Sequence, residues 1–176
     1  DAQKQAYEAE GRQPHYRFLL EDRKVEWDDL IRGPQSINPA HISDPVLVRA
    51  DGVPLYTLSS TVDDGETGIT HILRGEDHVS NTPVQIQIFE ALGYTPPQFA
   101  HAALLHMADG KLSKRKGGGD IRGLRETGYE PMAINSLLAR LGTSDPIEVF
   151  QSIEALVEQF DIGKFGRAAA TYDEAE

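Results

Sequence analysis

Ile69-Thr70-His71-Ile72-Leu73-Arg74-Gly75, with Thr82-Pro83-Val84-Gln85 shortly after it and Gly93 closing the run, is the stretch that decides the fold. Its first segment is rich in β-branched residues and stops at a glycine, which predicts an extended strand over 69–74. The second carries the marks of a helix start: Thr82 as N-cap, Pro83 at the first helical position and Gln85 completing a capping box. Gly93 supplies the stop. Strand, short loop and helix in that order are the local grammar of an α/β sheet.

Working outward toward the N-terminus, Val46-Leu47-Val48-Arg49 and Val53-Pro54-Leu55-Tyr56-Thr57-Leu58 flank Asp51-Gly52. An Asp-Gly pair accepts positive φ at low cost, so this reads as a β-hairpin, with Pro54 keeping its second strand at an edge. Residues 1 to about 43 mix charge with isolated aromatics and hold no sustained period. Toward the C-terminus the chain turns helical. Ile134, Leu137, Leu138 and Leu141 recur at helical spacing behind Pro131 and stop at Gly142, and Ile153, Leu156, Val157 and Phe160 repeat the pattern behind Ser152. Three glycines, Gly117 to Gly119, mark the expected joint before this helical part.

Composition bounds the function. The 176 residues include 39% apolar and 26% charged residues, ordinary values for a soluble globular chain. No apolar run approaches the ~20 residues of a membrane span, and the N-terminus lacks a secretory pattern, so a cytoplasmic protein without a membrane partner is expected. The absence of cysteine excludes disulfides, a thiol nucleophile and a thiolate zinc site. A net charge of −11 argues against a surface that grips nucleic acid all over. Its distribution is uneven. Lys111, Lys114, Arg115, Lys116, Arg122 and Arg125 crowd into a short stretch with Asp120 as its only acid, whereas 145–176 is strongly acidic. A local cationic site on an acidic body suits a small polyanion or one end of a nucleic acid.

Within that basic stretch, Lys111-Leu112-Ser113-Lys114-Arg115-Lys116 runs into the three glycines. Two lysines three residues apart, a hydroxyl between them and glycines behind can close cationic donors and backbone N–H groups around phosphate oxygens. Such closure over a triphosphate would stabilise charge on a departing pyrophosphate. The order of a Walker A loop is absent. Spacing alone leaves an exposed basic turn as an equal reading. Asp63 and Asp64 have no neighbours that suggest a metal cage and read as turn residues. His71, His101 and His106 read as core or surface histidines.

Lys111-Leu112-Ser113-Lys114-Arg115 resembles the Lys-Met-Ser-Lys-Ser signature of class I aminoacyl-tRNA synthetases, in the form found in glutamyl-tRNA synthetases. Other blocks resemble that family in order and at its spacings: Tyr56-Thr57-Leu58, Val62-Asp63-Asp64, Gly68-Ile69-Thr70-His71, Leu73-Arg74-Gly75-Glu76-Asp77-His78, Asn81-Thr82-Pro83, Glu90-Ala91-Leu92-Gly93 and Gly128-Tyr129-Glu130-Pro131. The similarity is close from about Asp44 to Gly142 and looser on both flanks.

The resemblance implies a fold, a reaction and a set of residues. The fold is α/β: the C-terminal half of a Rossmann-like catalytic domain over 55–115, preceded over 1–54 by the tail of an insertion that handles the tRNA acceptor end. The start of a helical stem-contact region follows over 116–176. The reaction is formation of glutamyl-adenylate from L-glutamate and ATP, with Mg²⁺ carried on the triphosphate, and transfer of the acyl group to the 3′-terminal adenosine of tRNA(Glu). Lys114 and Lys111 are the implied catalytic residues, and with Ser113 and Arg115 they bind ATP. Leu104 and Leu105 would meet the adenine through their backbone, and Asp77 the ribose or the α-amino group. Tyr56 and Ser60 would line the glutamate pocket. Arg74 would pair with the γ-carboxylate, as a planar guanidinium can do bidentately.

On the residues alone, a structural salt bridge for Arg74 and a half-buried core position for Tyr56 are the lesser readings, whereas Asp77 could equally be a helix-preceding carboxylate. The family's His-Ile-Gly-His type signature is not in this sequence, nor is an anticodon-reading region, so the chain is expected to be a piece of a longer enzyme and inactive alone. A glutamyl-queuosine tRNA(Asp) synthetase and a non-catalytic fragment that binds nucleotide or acceptor arm are the competing expectations. Glutaminyl-tRNA synthetase fits less well, since that relative keeps no arginine equivalent to Arg74.

Overall fold

A computed structural model describes residues 2–107 and 121–172. In chain order its elements are α1 (Ala2–Ala9), β1 (Tyr16–Arg17), β2 (Val25–Asp29), β3 (Gly33–Ile37), β4 (Val46–Val48), α2 (Tyr56–Thr67), β5 (His71–Gly75), α3 (Thr82–Leu92), β6 (Gln98–Ala102), β7 (Leu105–Met107), α4 (Ile121–Thr127), α5 (Pro131–Arg140), α6 (Ile153–Gln159) and β8 (Ala170–Tyr172). The main sheet has the order β3-β2-β6-β5, and β2 runs parallel to β6 with Asp29 opposite Phe99. This is the mixed α/β class expected. By contacts the chain divides into one unit of Asp1–Asp29, Pro34–Ile72 and His78–Phe99 and another of Leu30–Gly33, Leu73–Asp77 and Ala100–Glu176.

The first unit is organised by α3. Its sequence places Ile86 and Phe89 on one side and Val84 and Ile88 on the other, each pair at helical spacing. Ile86 and Phe89 pack with Val25 and Phe99 and against Trp27, Ile72 and Tyr94. Val84 and Ile88 pack with Leu20 and against Phe18, Ile42, Leu47 and Leu58. A helix apolar on both sides is a buried helix, and Thr82 to Phe89 are all buried. Its two buried amides are satisfied. Gln87 accepts from the Glu21 N–H at 2.9 Å and donates to the Glu21 carbonyl at 3.1 Å, as a strand partner would. Gln85 donates to the Ser60 hydroxyl at 3.1 Å.

The structure departs from three local expectations. Asn81, not Thr82, is the N-cap of α3, with no side-chain capping bond, because a 3₁₀ turn over Glu76–Asn81 feeds directly into the helix. Gln85 is thereby turned toward Ser60 instead of serving a capping box. The hairpin around Asp51-Gly52 is shorter than expected, keeping its turn and the antiparallel pairing next to it, where Leu55 N–H donates to the Leu47 carbonyl at 2.8 Å. Gly52 has φ +82° and Arg49 N–H donates to the Val53 carbonyl at 2.9 Å. Beyond a bridge from Val48 to Pro54 the second arm is not a strand: β4 pairs with β1, and Tyr56 opens α2. Burial overrides the β-branched residues of that stretch, since Leu58 packs on the core and Thr61 is fully buried one turn on. Asp63 and Asp64 therefore lie in a helix, not in a turn. Its stop is Gly68, in the left-handed region at φ +68°.

In the second unit, α5 and α6 form where the sequence placed them, α5 behind Pro131 and α6 behind Ser152, whose hydroxyl accepts from the Ala155 N–H at 3.2 Å. The best-buried residues of α5 are not its apolar stripe but Ser136 and Arg140. Ser136 accepts from the Phe150 N–H at 2.9 Å, and Arg140 lies over the Phe150 ring while paired to Asp145 and Gln159. The expected joint at Gly117–Gly119 lies outside the described residues. Among the described residues no helix is long and apolar enough to cross a membrane.

Candidate functional site

Strand β5 ends on Arg74-Gly75, and the residues singled out around that end gather in the second unit. Arg74 is half-buried, and its Nε donates to Nε2 of His101 at 3.0 Å. His101 is fully buried in β6. Gly75 is closely approached by two side chains: a Cβ there would come within 2.5 Å of Asp77 Oδ1 and 3.1 Å of Leu104 Cδ2. Asp77 and Leu104 thus meet over the backbone at the strand end, the place where α/β sheets hold ligands. Glu76 pairs with Arg32 at 2.6 Å, both side chains about a quarter to a third exposed. That ion pair fixes the turn at Leu30–Gly33 to the segment that carries Asp77.

Leu104 is exposed, and Leu105 opens β7, where it lies opposite Ala170 of β8 in a parallel two-stranded ladder. Lys111, Ser113, Lys114 and Arg115 lie outside the described residues.

The remaining two candidates meet in the first unit. Tyr56 stands at the first turn of α2, half exposed, with its ring edge-on to His78 at 5.9 Å. One turn on, Ser60 donates to the Tyr56 carbonyl at 2.7 Å and accepts from Gln85. His78 is itself oriented by Asn81, whose amide nitrogen lies 3.2 Å from Nδ1. Tyr56, Ser60, His78 and Gln85 therefore form one polar cluster at the N-terminal ends of α2 and α3.

Sequence reasoning read His101 as a core or surface histidine and gave neither it nor His78 a site role; the structure buries His101 fully. His78 was legible only as part of a motif. His101 carried no local signal for a functional partner, since nothing in its strand neighbours names the cation it meets. A separate cavity of about 410 Å³ opens at Arg140, Asp145, Gln159, Phe160 and Lys164, and none of the candidates among the described residues lines it.

The family model described as tRNA synthetases class I (E and Q), catalytic domain, matches residues 1–174. Glutamate--tRNA ligase 1 of Maricaulis maris is 56% identical over 178 residues, covering all of this chain and 40% of the relative. Glutamate--tRNA ligase 2 of Hyphomonas neptunium is 58% identical over 168 residues, covering 95% of this chain and 38% of the relative. Among solved structures, glutamate-tRNA synthetase from Elizabethkingia anophelis superposes with a TM-score of 0.83 at 31% identity, over 99% of this chain and 40% of that one. A glutamate tRNA ligase from Elizabethkingia meningosepticum, in complex with its amino acid, gives 0.82 at 31% identity, over 99% and 39%. This chain spans about two fifths of the length of the relatives it matches.

Proposed function

This chain belongs to the class I tRNA synthetases (E and Q), catalytic domain, and from that premise we propose that the complete protein is a glutamate–tRNA ligase. It joins the α-carboxylate of L-glutamate to ATP as glutamyl-adenylate, releasing pyrophosphate, and passes the acyl group to the 3′-terminal adenosine of tRNA(Glu), releasing AMP. The observation that carries this reading is Arg74, a half-buried guanidinium at a strand end whose Nε is fixed by a buried imidazole. A guanidinium so held can grip a second carboxylate, which a neutral amide side chain does not offer.

The other roles follow from the family motifs. Tyr56 packs against the aliphatic part of glutamate, with Ser60 supporting it from the next turn of α2. Asp77 holds the ribose or the α-amino group. The backbone of Leu104 and Leu105 reads the adenine, at Leu105 on the strand edge away from Ala170. Lys111, Ser113, Lys114 and Arg115 bind the triphosphate with its Mg²⁺, and Lys114, helped by Lys111, stabilises charge on the pyrophosphate as it leaves. Residues 1–54 belong to the acceptor-end insertion, 55–115 to the Rossmann-like half-domain and 116–176 to the stem-contact region.

Charging assays on the complete protein test this. Glutamate is expected on tRNA(Glu) and not on tRNA(Asp), and Lys114→Ala should lower the rate of adenylate formation by about 10²- to 10³-fold, as removal of one charge-stabilising donor does. Preference for tRNA(Asp), or an unaltered rate in the variant, would overturn it.

A further inference from the structure

We propose that His101 is a positioning residue for Arg74 and that it sets how the protein reads the γ-carboxylate of its amino acid, an inference that rests on the assignment of Arg74 made above. A guanidinium carries five N–H donors and no acceptor. The 3.0 Å contact between Arg74 Nε and His101 Nε2 therefore has one polarity: Arg74 donates, and the imidazole accepts through an unprotonated Nε2. His101 is accordingly the neutral tautomer with its proton on Nδ1. An imidazolium in that place would have no lone pair to give, and it would set a second cation, fully buried, against the first.

Two consequences follow for recognition. An arginine side chain has many rotamers, and one hydrogen bond from a rigid, buried acceptor removes most of that freedom before any ligand arrives. With Nε committed to His101, a bidentate pair with a carboxylate runs through Nη1 and Nη2, which fixes both the direction and the plane of approach. His101 thus acts on the substrate through Arg74, and its loss should weaken glutamate binding and leave nucleotide binding alone.

The test uses the full-length protein carrying this sequence. His101→Leu keeps an apolar side chain in the buried position but offers no acceptor; His101→Gln restores an acceptor oxygen near the position of Nε2. His101→Leu is expected to raise KM for glutamate by about tenfold or more while KM for ATP stays within about twofold, and His101→Gln to recover to within about threefold of the parent. An unchanged glutamate KM in His101→Leu, a parallel rise in both KM values, or a glutamine variant no better than leucine would each overturn the proposal. Long-range ¹H–¹⁵N correlation on the unsubstituted protein reads the tautomer directly, without relying on any variant to fold. A neutral imidazole protonated at Nδ1 supports the contact, and a proton on Nε2 or an imidazolium at neutral pH refutes it. Arg74→Lys separates the two layers. If that variant keeps its glutamate KM, the assignment of Arg74 fails and the specificity role of His101 with it, while the tautomer still reports whether His101 holds Arg74.

Discussion

Gly65 lies in α2 where the ring of Tyr94 occupies the space a side chain would need. A Cβ at that position would sit 2.4 Å from Tyr94 Cδ2, 2.6 Å from Cε2 and 2.7 Å from Cγ. The ring cannot easily retreat, because Tyr94 packs on the core beside Phe89 and its hydroxyl donates to the Glu66 carboxylate. That same bond pushes the Tyr94 phenol above its usual value. Glycine to alanine inside a helix ordinarily gains up to about 1 kcal/mol. At Gly65 the sign should reverse, with Gly65→Ala losing about 1–3 kcal/mol to overpacking in urea unfolding. A stabilised variant would show that the ring is not held there. Arg74 and His101 illustrate the same scale on the functional side, since the arginine was singled out by its motif and its partner was not. An acceptor buried in a neighbouring strand leaves no trace in local sequence spacing.

Helix α6 is short, so its first turn matters more than its length. Ser152 caps the Ala155 N–H, and Glu154, in the first turn, is held below the ordinary carboxylate range by its own backbone N–H and the Ser152 hydroxyl. A carboxyl lowered on folding favours the folded state at pH above its unfolded value near 4.5, and that contribution disappears as the pH falls through its lowered folded value. Ser152→Ala should cost about 1 kcal/mol at neutral pH, through loss of the cap. It should also move the Glu154 titration, followed by NMR, back toward an unperturbed carboxylate. A titration that does not move would place the cause elsewhere. Helices such as this one were legible because their ends carry chemistry: Pro131, Ser152 and Gly93 mark starts and stops that tertiary packing did not alter. Helix α2 was not legible, since Tyr56, Thr57 and Thr61 favour strands and only the burial of Leu58 and Thr61 selects the helix. The apolar stripe of α5 misled in another way, because Ser136 and Arg140 are buried by specific polar partners that no periodicity reveals.

For the molecule as a whole, the net charge of −11 hides one cationic segment at 111–125, and several arginines elsewhere have defined acidic partners. The α/β class was readable from strand, loop and helix grammar, whereas the site was readable only through motifs whose geometry the sequence does not state. Gly75 shows why: the approach of Leu104 to it is a three-dimensional fact about residues far apart in the chain. In the proposed function, discrimination turns on Arg74 reading the negative charge of the amino acid's side chain. The direct measurement is kcat/KM for glutamate and for glutamine, with tRNA present, in the complete protein and in Arg74→Leu. Loss of a charge-paired guanidinium should lower the value for glutamate by about 10²- to 10³-fold, abolish the preference over glutamine and leave KM for ATP within about twofold. Retention of the glutamate preference in Arg74→Leu would contradict the account.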